Sequence, residues 1–480
     1  MKNDSKDATK NKPQQLTQGE QLAKALAWIL DKASFDEIKL HGSVKWVVVH
    51  LVRVAILWVW SSKRLLVESA NDAIEKTEEI CGSIGGSFIG SYQVLTQALI
   101  KYGDAILTSV ARRIHQLMEQ TDETNFRIGM WLVLAVDGSR LDTPRTVANE
   151  LRFCKPRKKR SKKQRKAKRS LHAKKRAPVS KKAKYNPQPV GPQVWLTLLW
   201  HVGLRMPWAW KIGPSYSSER GHLMEMLNTV NFPTKSLICG DAGFVGYEFW
   251  KSIDSSGHRF LCRVGSNCSF LRLLGDVRQK NGIVCCWPKN QQAKGQPPLT
   301  LRLLCFNDGR GEVYLVTNEL STRNLSDKLA GQIYRRRWGI EVQLRSLKQT
   351  FGRSKLLGRT PEVAVVELSW SILGLWVAQL FALREQTDTM TPDSQASVAQ
   401  VLRILESILQ RPDVVPVRGQ SLKKQLNEAR TDTYTRTSTK KSRNFPRRKE
   451  EPRCGPPKVT LATKQQRNLL SQIQATQNAA

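Results

Sequence analysis

A chain of 480 residues with 40% hydrophobic content is expected to form a sizeable hydrophobic core divided over two to four domains. Seventy-eight Lys and Arg against 40 acidic residues give a formal charge of +38, which repels itself in a compact chain unless a polyanion binds. Nucleic acid is the natural partner, because each neutralised phosphate releases counterions, and an anionic membrane surface is the competitor.

The nine cysteines are odd in number and contain no C-x-x-C pair, which argues against a disulfide framework and a structural zinc site. No secretory signal is read at the start, so a reduced cytoplasmic compartment is expected.

Residues 1 to about 18 are polar and without period, and read as a disordered arm. From about Gln21 to Met118 apolar residues recur every three or four positions, as in LAKALAWIL, which predicts helices. The apolar run Val44 to Trp60 contains Lys45, His50 and Arg53 and is shorter than a bilayer span, so it reads as a core helix. The glycine-rich stretch Gly82 to Gly90 separates two helices and lacks the Gly-Lys-Ser/Thr of a phosphate loop.

MWLVLAVDGS, from Met130, is a strand signal that runs into Asp137 and Gly138. Lys155 to Lys184 then carries seventeen Lys or Arg in thirty residues and no acid, a composition that cannot fold alone. VWLTLLWHVGL and PWAWKIG read as two strands, Ser218 to Thr229 as a helix, and KSLICGDAGF as a buried strand ending at Asp241. Between Phe260 and Thr317, short apolar pieces separated by Gly, Asn and Pro predict a small β-rich insertion. Helical period returns at Ser326, carries through Lys348, and recurs from about Pro361 to Arg384. A short amphipathic helix near Ser397 to Leu409 and a basic, Pro-containing tail complete the chain.

Asp137 and Asp241 each follow an apolar run and precede a glycine within two residues. Strand ends facing a cleft are where α/β folds place chemistry, and a carboxylate there can ligate a hard cation. Each residue taken singly reads more readily as a turn or cap aspartate, and Asp142 and Asp254 are rivals by the same criterion. On the helix from Ser326, Tyr334, Arg337, Glu341 and Lys348 are spaced by three, four and seven. At about 100° per residue they fall on one stripe of about 60°. That stripe offers one acid for a metal ion, and Arg and Lys for phosphate. A solvated face with an Arg337–Glu341 ion pair is the alternative.

Tyr334-x2-Arg337-x3-Glu341-x6-Lys348 resembles the YREK signature of bacterial insertion-sequence DDE transposases of the IS-four type. DGSRLDTPRT resembles that family's first-acid region and CGDAGFVGYEFW its second. The resemblance spans roughly Leu51 to Thr360. It implies an α/β fold: an RNase H-like catalytic core over 126–360 with a β-rich insertion at 255–322, preceded by a helical N-terminal DNA-binding region at 19–125. Helices and a basic tail would come after it at 361–480. The basic insertion at 155–184 departs from the family pattern.

The resemblance further implies that Asp137, Asp241 and Glu341 hold two Mg²⁺ ions, with Mn²⁺ as a substitute. Tyr334, Arg337 and Lys348 would grip phosphates beside the cut. The reaction implied is cleavage at inverted terminal repeats of double-stranded DNA, then 3′-hydroxyl strand transfer, often through a hairpin, by a complex that is at least dimeric, at the nucleoid and not at a membrane. A hairpin needs a flipped base held by stacking, for which Trp287 and Trp338 are candidates. Two other readings stay open: an inactive, basic nucleic-acid-binding protein, and an RNase H-like nuclease that cuts without joining.

Overall fold

The computed structural model describes residues 15–82, 86–156, 191–274, 282–307, 311–386, 396–430 and 455–478. Most of the basic run, from residue 157 onward, lies outside these residues, as do residues 1–14 of the expected N-terminal arm.

The N-terminal region is helical: α1 (Gln18–Leu30), α2 (Val48–Trp60), α3 (Leu66–Cys81), α4 (Tyr92–Thr121) and the turn-long α5 (Glu123–Phe126). Thr17 starts α1 with a capping box. Its Oγ1 accepts the Glu20 N–H at 3.1 Å, and Glu20 Oε2 accepts the Thr17 N–H at 2.8 Å. Helix α2 is apolar almost all round, which suits a helix enclosed by others. It packs against α3 and against a late helix, α12 (Pro361–Gln386), which begins with proline at its first position. Gly374 lets α2 and α12 meet: a Cβ there would lie 2.8 Å from Val59, and the Trp60 indole donates to the Gly374 carbonyl at 3.0 Å. By length and composition α12 could cross a membrane, but it is a buried core helix.

Between these helical segments lie β1 (Leu132–Asp142), α6 (Val147–Phe153), β2 (Gln193–His201), β3 (Met206–Pro214), α7 (Glu219–Thr229), β4 (Ser236–Gly240), α8 (Tyr247–Ser255) and β5 (Arg259–Val264). β1 runs antiparallel to β2, and β2 to β3; β4 lies parallel to β1, and β5 parallel to β4. The order β3-β2-β1-β4-β5, three antiparallel strands followed by two parallel ones, is that of an RNase H-like core. Helices pack on both faces, α7 on one and α11 (Gly339–Arg345) on the other, so the continuous apolar runs of β1 and β4 are buried.

The β-rich insertion does not form a separate layer. β6 (Ser269–Arg272), β7 (Ile283–Cys286), the turn-long α9 (Lys289–Gln292), β8 (Leu299–Asn307) and β9 (Glu312–Thr317) continue the same sheet outward from β5. After α10 (Asp327–Arg336), α11 and α12 come α13 (Val398–Gln410) and α14 (Leu422–Glu428). The tail then returns: β10 (Lys458–Leu461) pairs parallel with β6 as the tenth strand, and α15 (Lys464–Asn478) succeeds it. One hydrophobic core runs through the N-terminal helices, the sheet, α12 and α13.

Candidate active site

The two aspartates meet because of strand register. β1 and β4 pair from Leu132↔Ser236 to Ala135↔Cys239, and the same register continued by two residues sets Asp137 beside Asp241. Residues two apart share a face, and neighbouring strands lie about 4.8 Å apart, so both carboxylates rise from one side of the sheet. Asp137 Oδ1 accepts the Gly138 N–H at 2.8 Å. Asp241 Oδ1 accepts the Gly243 N–H at 2.7 Å in the turn that leaves β4, a turn so tight that a Cβ on Gly240 would lie 2.7 Å from Phe244.

Glu341 enters from above. Gly339, at the start of α11, packs closely against the tip of the Trp200 ring, where any Cβ would collide, and Trp200 pairs with Ala135, two residues before Asp137. This close approach seats α11 over the face that carries Asp137. Burial, then the charges of Asp241 and Glu341, push the Asp137 carboxyl up to about 6, against the pull of the Gly138 N–H and the Arg337 guanidinium. Arg337 is buried, stacks over the Tyr334 ring at 5.4 Å, and places Nη2 3.5 Å from Glu341 Oε1. Its Nε–H has no hydrogen-bond partner among the described residues.

The expected single stripe along one helix is broken in two places. α10 ends at Arg336, the chain turns at Arg337–Trp338, and a π-helical turn at Ser346–Thr350 succeeds α11. A π turn adds a residue per turn and so rotates the side chains beyond it out of line with those before it. Tyr334, Arg337 and Glu341 stay together, whereas Lys348 is half-buried with Asp142, not Asp137, as its charged neighbour. Burial pushes the Tyr334 hydroxyl up to about 12, so it remains a neutral phenol.

Trp338 is 55% exposed beside this group and is free to stack on a ligand. Trp287 is not. It is 3% exposed, its indole donates to the Gln296 carbonyl at 2.6 Å, and it packs with Leu274, Ala462 and Leu470 in a small second core. The return of the tail buries it, so the expectation of a base clamp at Trp287 is corrected. Asp254 is also removed from the site, held by Asn318 and Arg259.

The structure adds a fourth carboxylate that pattern reading missed. Glu219 is the first residue of α7, behind the N-cap Ser218, whose Oγ accepts the Gly221 N–H at 3.1 Å. Its carboxylate lies over Gly138, where any Cβ would collide with it. Burial, then Asp137 and Asp241, push Glu219 up to about 7. The only trace in the sequence is the glycine after Asp137, which has no side chain because another residue needs the space.

All the acids here are hard oxygen donors, and two of them, Asp137 and Glu219, hold protons unusually tightly, first because they are buried and then because other acids stand beside them. That donor set fits a divalent ion such as Mg²⁺. As the side chains stand, no three carboxylate, His or Cys groups among the described residues gather at a single ion position. The Arg337–Glu341 pair accounts for part of this, since it draws Glu341 toward a cation already in place.

Residues 198–376 match the family model of the transposase DDE domain. The matched segment holds Asp241 and Glu341 and supports a DDE transposase; Asp137 lies before it. No curated protein sequence matches the chain. Among solved structures, the chain is similar to a piggyBac transposase in a synaptic complex with hairpin DNA, at 11% identity and a TM-score of 0.34 over 88% of this chain and 85% of that one. It is also similar to a pre-cleavage Mos1 transpososome, at 8% identity and a TM-score of 0.16 over 42% of this chain and 68% of that one. Similarities that low carry no argument about this site.

Proposed function

We propose that this protein is a DNA transposase of the IS-four type that cuts at inverted terminal repeats and joins the 3′-hydroxyl ends to target DNA. The observation that carries the reading is the register placing Asp137 beside Asp241 under the helix of Glu341, with the last two inside a DDE-domain match. Asp137, Asp241 and Glu341 are the residues that would hold Mg²⁺, or Mn²⁺ in its place. When bound, two such ions activate the attacking hydroxyl and stabilise the leaving oxygen in phosphoryl transfer.

The chain's own groups do the rest. Arg337 offers a buried donor to a phosphate oxygen, and Tyr334 holds its guanidinium flat. Lys348 supports DNA from the side of Asp142, and Trp338 is the exposed aromatic for an unpaired base. A net charge of +38 supplies sequence-blind affinity for duplex DNA, to which the basic run at 155–184 contributes. Pairing two ends calls for at least a dimer, working at the bacterial nucleoid.

The test uses as substrate the DNA flanking the gene, in which this reading expects inverted repeats. Glu341→Gln should retain end binding and lose Mg²⁺-dependent nicking. Cleavage by that variant near the parental rate removes Glu341 as a metal ligand. Cleavage by the parent without strand joining makes the protein a nuclease, and DNA binding without cleavage makes it a binding protein.

A further inference from the structure

Helix α11 is only seven residues long and lies between the break at Arg337–Trp338 and the π-helical turn at Ser346–Thr350. Trp338 at its start makes no side-chain cap, and a helix that short depends on tertiary contacts to hold it. One of those contacts is a pair of buried amides. Gln343, 4% exposed, donates its Nε2–H to Gln379 Oε1 of α12 at 2.9 Å. Gln379, 5% exposed, returns an Nε2–H to Gln343 Oε1 at 3.0 Å and also donates to the Arg205 carbonyl at 3.2 Å. Arg205 stands in the turn between β2 and β3, and β2 is the strand that pairs Leu198 with Asp137. Contacts thus run unbroken from the first acid through β2, its turn and the two amides to the helix of Glu341.

We infer that Gln343 and Gln379 are positioning residues: they set the rotation of α11 about its axis and so aim the Glu341 carboxylate toward Asp137 and Asp241. Glu341 lies two residues before Gln343, about 200° around the helix, so the amide pair grips the face opposite the carboxylate. Side-chain ends lie roughly 5–6 Å from a helix axis, so a rotation of about 20° would carry a carboxylate about 2 Å. A Mg²⁺ site does not tolerate that, because it holds its oxygens at about 2.0–2.1 Å in near-octahedral geometry. The Gly339–Trp200 contact cannot supply this control. It is a steric stop that sets how near α11 comes, whereas hydrogen bonds have direction. Two leucines would fill similar space without desolvating four polar atoms, so what the amides add is direction and not burial. A buried polar side chain that fixes the register of paired helices is the same device. The inference rests on Glu341 being a metal ligand, and it adds two residues that act on the site only through that helix.

The experiment uses the full chain without DNA. The double variant Gln343→Leu with Gln379→Leu removes both amides together and leaves neither without its partner. Its urea midpoint should stay within about 0.5 M of the parent's. Amide hydrogen exchange over residues 339–345 should nevertheless quicken at least about tenfold, while β1 exchanges as in the parent. Mn²⁺ affinity at pH 8, read from the electron paramagnetic resonance signal of the free ion, should fall at least about tenfold. Gln343→Met, close to glutamine in shape, should move both readouts the same way and decides the matter if the double variant does not fold. Parental exchange over α11 in a folded variant overturns the assignment. So does quickened exchange with Mn²⁺ affinity within about twofold of the parent's, which makes the amides structural only. A parent that takes up no Mn²⁺ removes Glu341 as a metal ligand, and the exchange comparison alone then decides whether the amide pair holds α11.

Discussion

Replacing Asp137 by asparagine should make the metal-free protein more stable at alkaline pH, even though it removes a residue proposed to be essential. The substitution deletes the charge and keeps the acceptor: Asp137 Oδ1 takes the Gly138 N–H at 2.8 Å, and an amide oxygen can take the same bond. In the parent, burial first and then Asp241 and Glu341 raise the carboxyl from 3.8 to about 6. That rise corresponds to about 3 kcal/mol against ionisation in the folded chain. The side chain keeps some access to solvent, and screening lowers the penalty to about 1–2 kcal/mol.

The sign comes from proton counting. Between the ordinary carboxylate value and about 6, the folded chain holds a proton that the unfolded chain has lost, so parental stability falls as pH rises through that window. Glu219 adds a slope of the same sign up to about 7; Asp137 is one of the charges that raise it, so the variant also relieves part of that penalty and the gap widens in the same direction. Urea unfolding in EDTA should therefore show Asp137→Asn ahead by about 1–2 kcal/mol at pH 8, with the gap closing toward pH 4. Adding Mn²⁺ at pH 8 should favour the parent, because a bound cation needs the ionised carboxylate. A variant no more stable than the parent at pH 8 without metal would refute the claim that uncompensated charge is crowded at this site.

Two further substitutions test what holds the site in place. Gly339→Ala drives a methyl into the Trp200 ring and should cost about 1–3 kcal/mol. Because Gly339 leads the helix of Glu341, DNA cleavage should fall further than thermal stability accounts for, and equal losses would show that α11 is not held by this contact. Glu367 on α12 is 1% exposed, accepts the Leu357 and Gly358 N–H groups at 2.8 and 2.9 Å, and faces Arg353 at 3.8 Å. Glu367→Ala should cost about 2–4 kcal/mol by leaving two amides without an acceptor and the part-buried Arg353 without its counter-charge, while Glu367→Gln keeps an acceptor and should cost less. Equal unfolding midpoints for the two variants would contradict that account.

Local pattern was enough to read much of this protein. The apolar runs ending at Asp137 and Asp241, the two strands after the basic run and the helices before Met118 depend on residues near in sequence, whose period reports directly on burial. The spacing of three and four likewise kept Tyr334, Arg337 and Glu341 together, since they lie within about two turns.

Tertiary structure decided the rest. Lys348 falls within a π turn, Ser346–Thr350, which a 100° wheel does not register, and has Asp142 as its charged neighbour. Trp287 changed from an available ring to a core residue only when β10 and α15 returned from some 170 residues away to cover it. Glu219 joined the acids because α7 crosses the sheet at Gly138, about eighty residues earlier in the chain. Each of these is a contact between distant segments, and periodicity within one segment carries no information about which partner will lie against it.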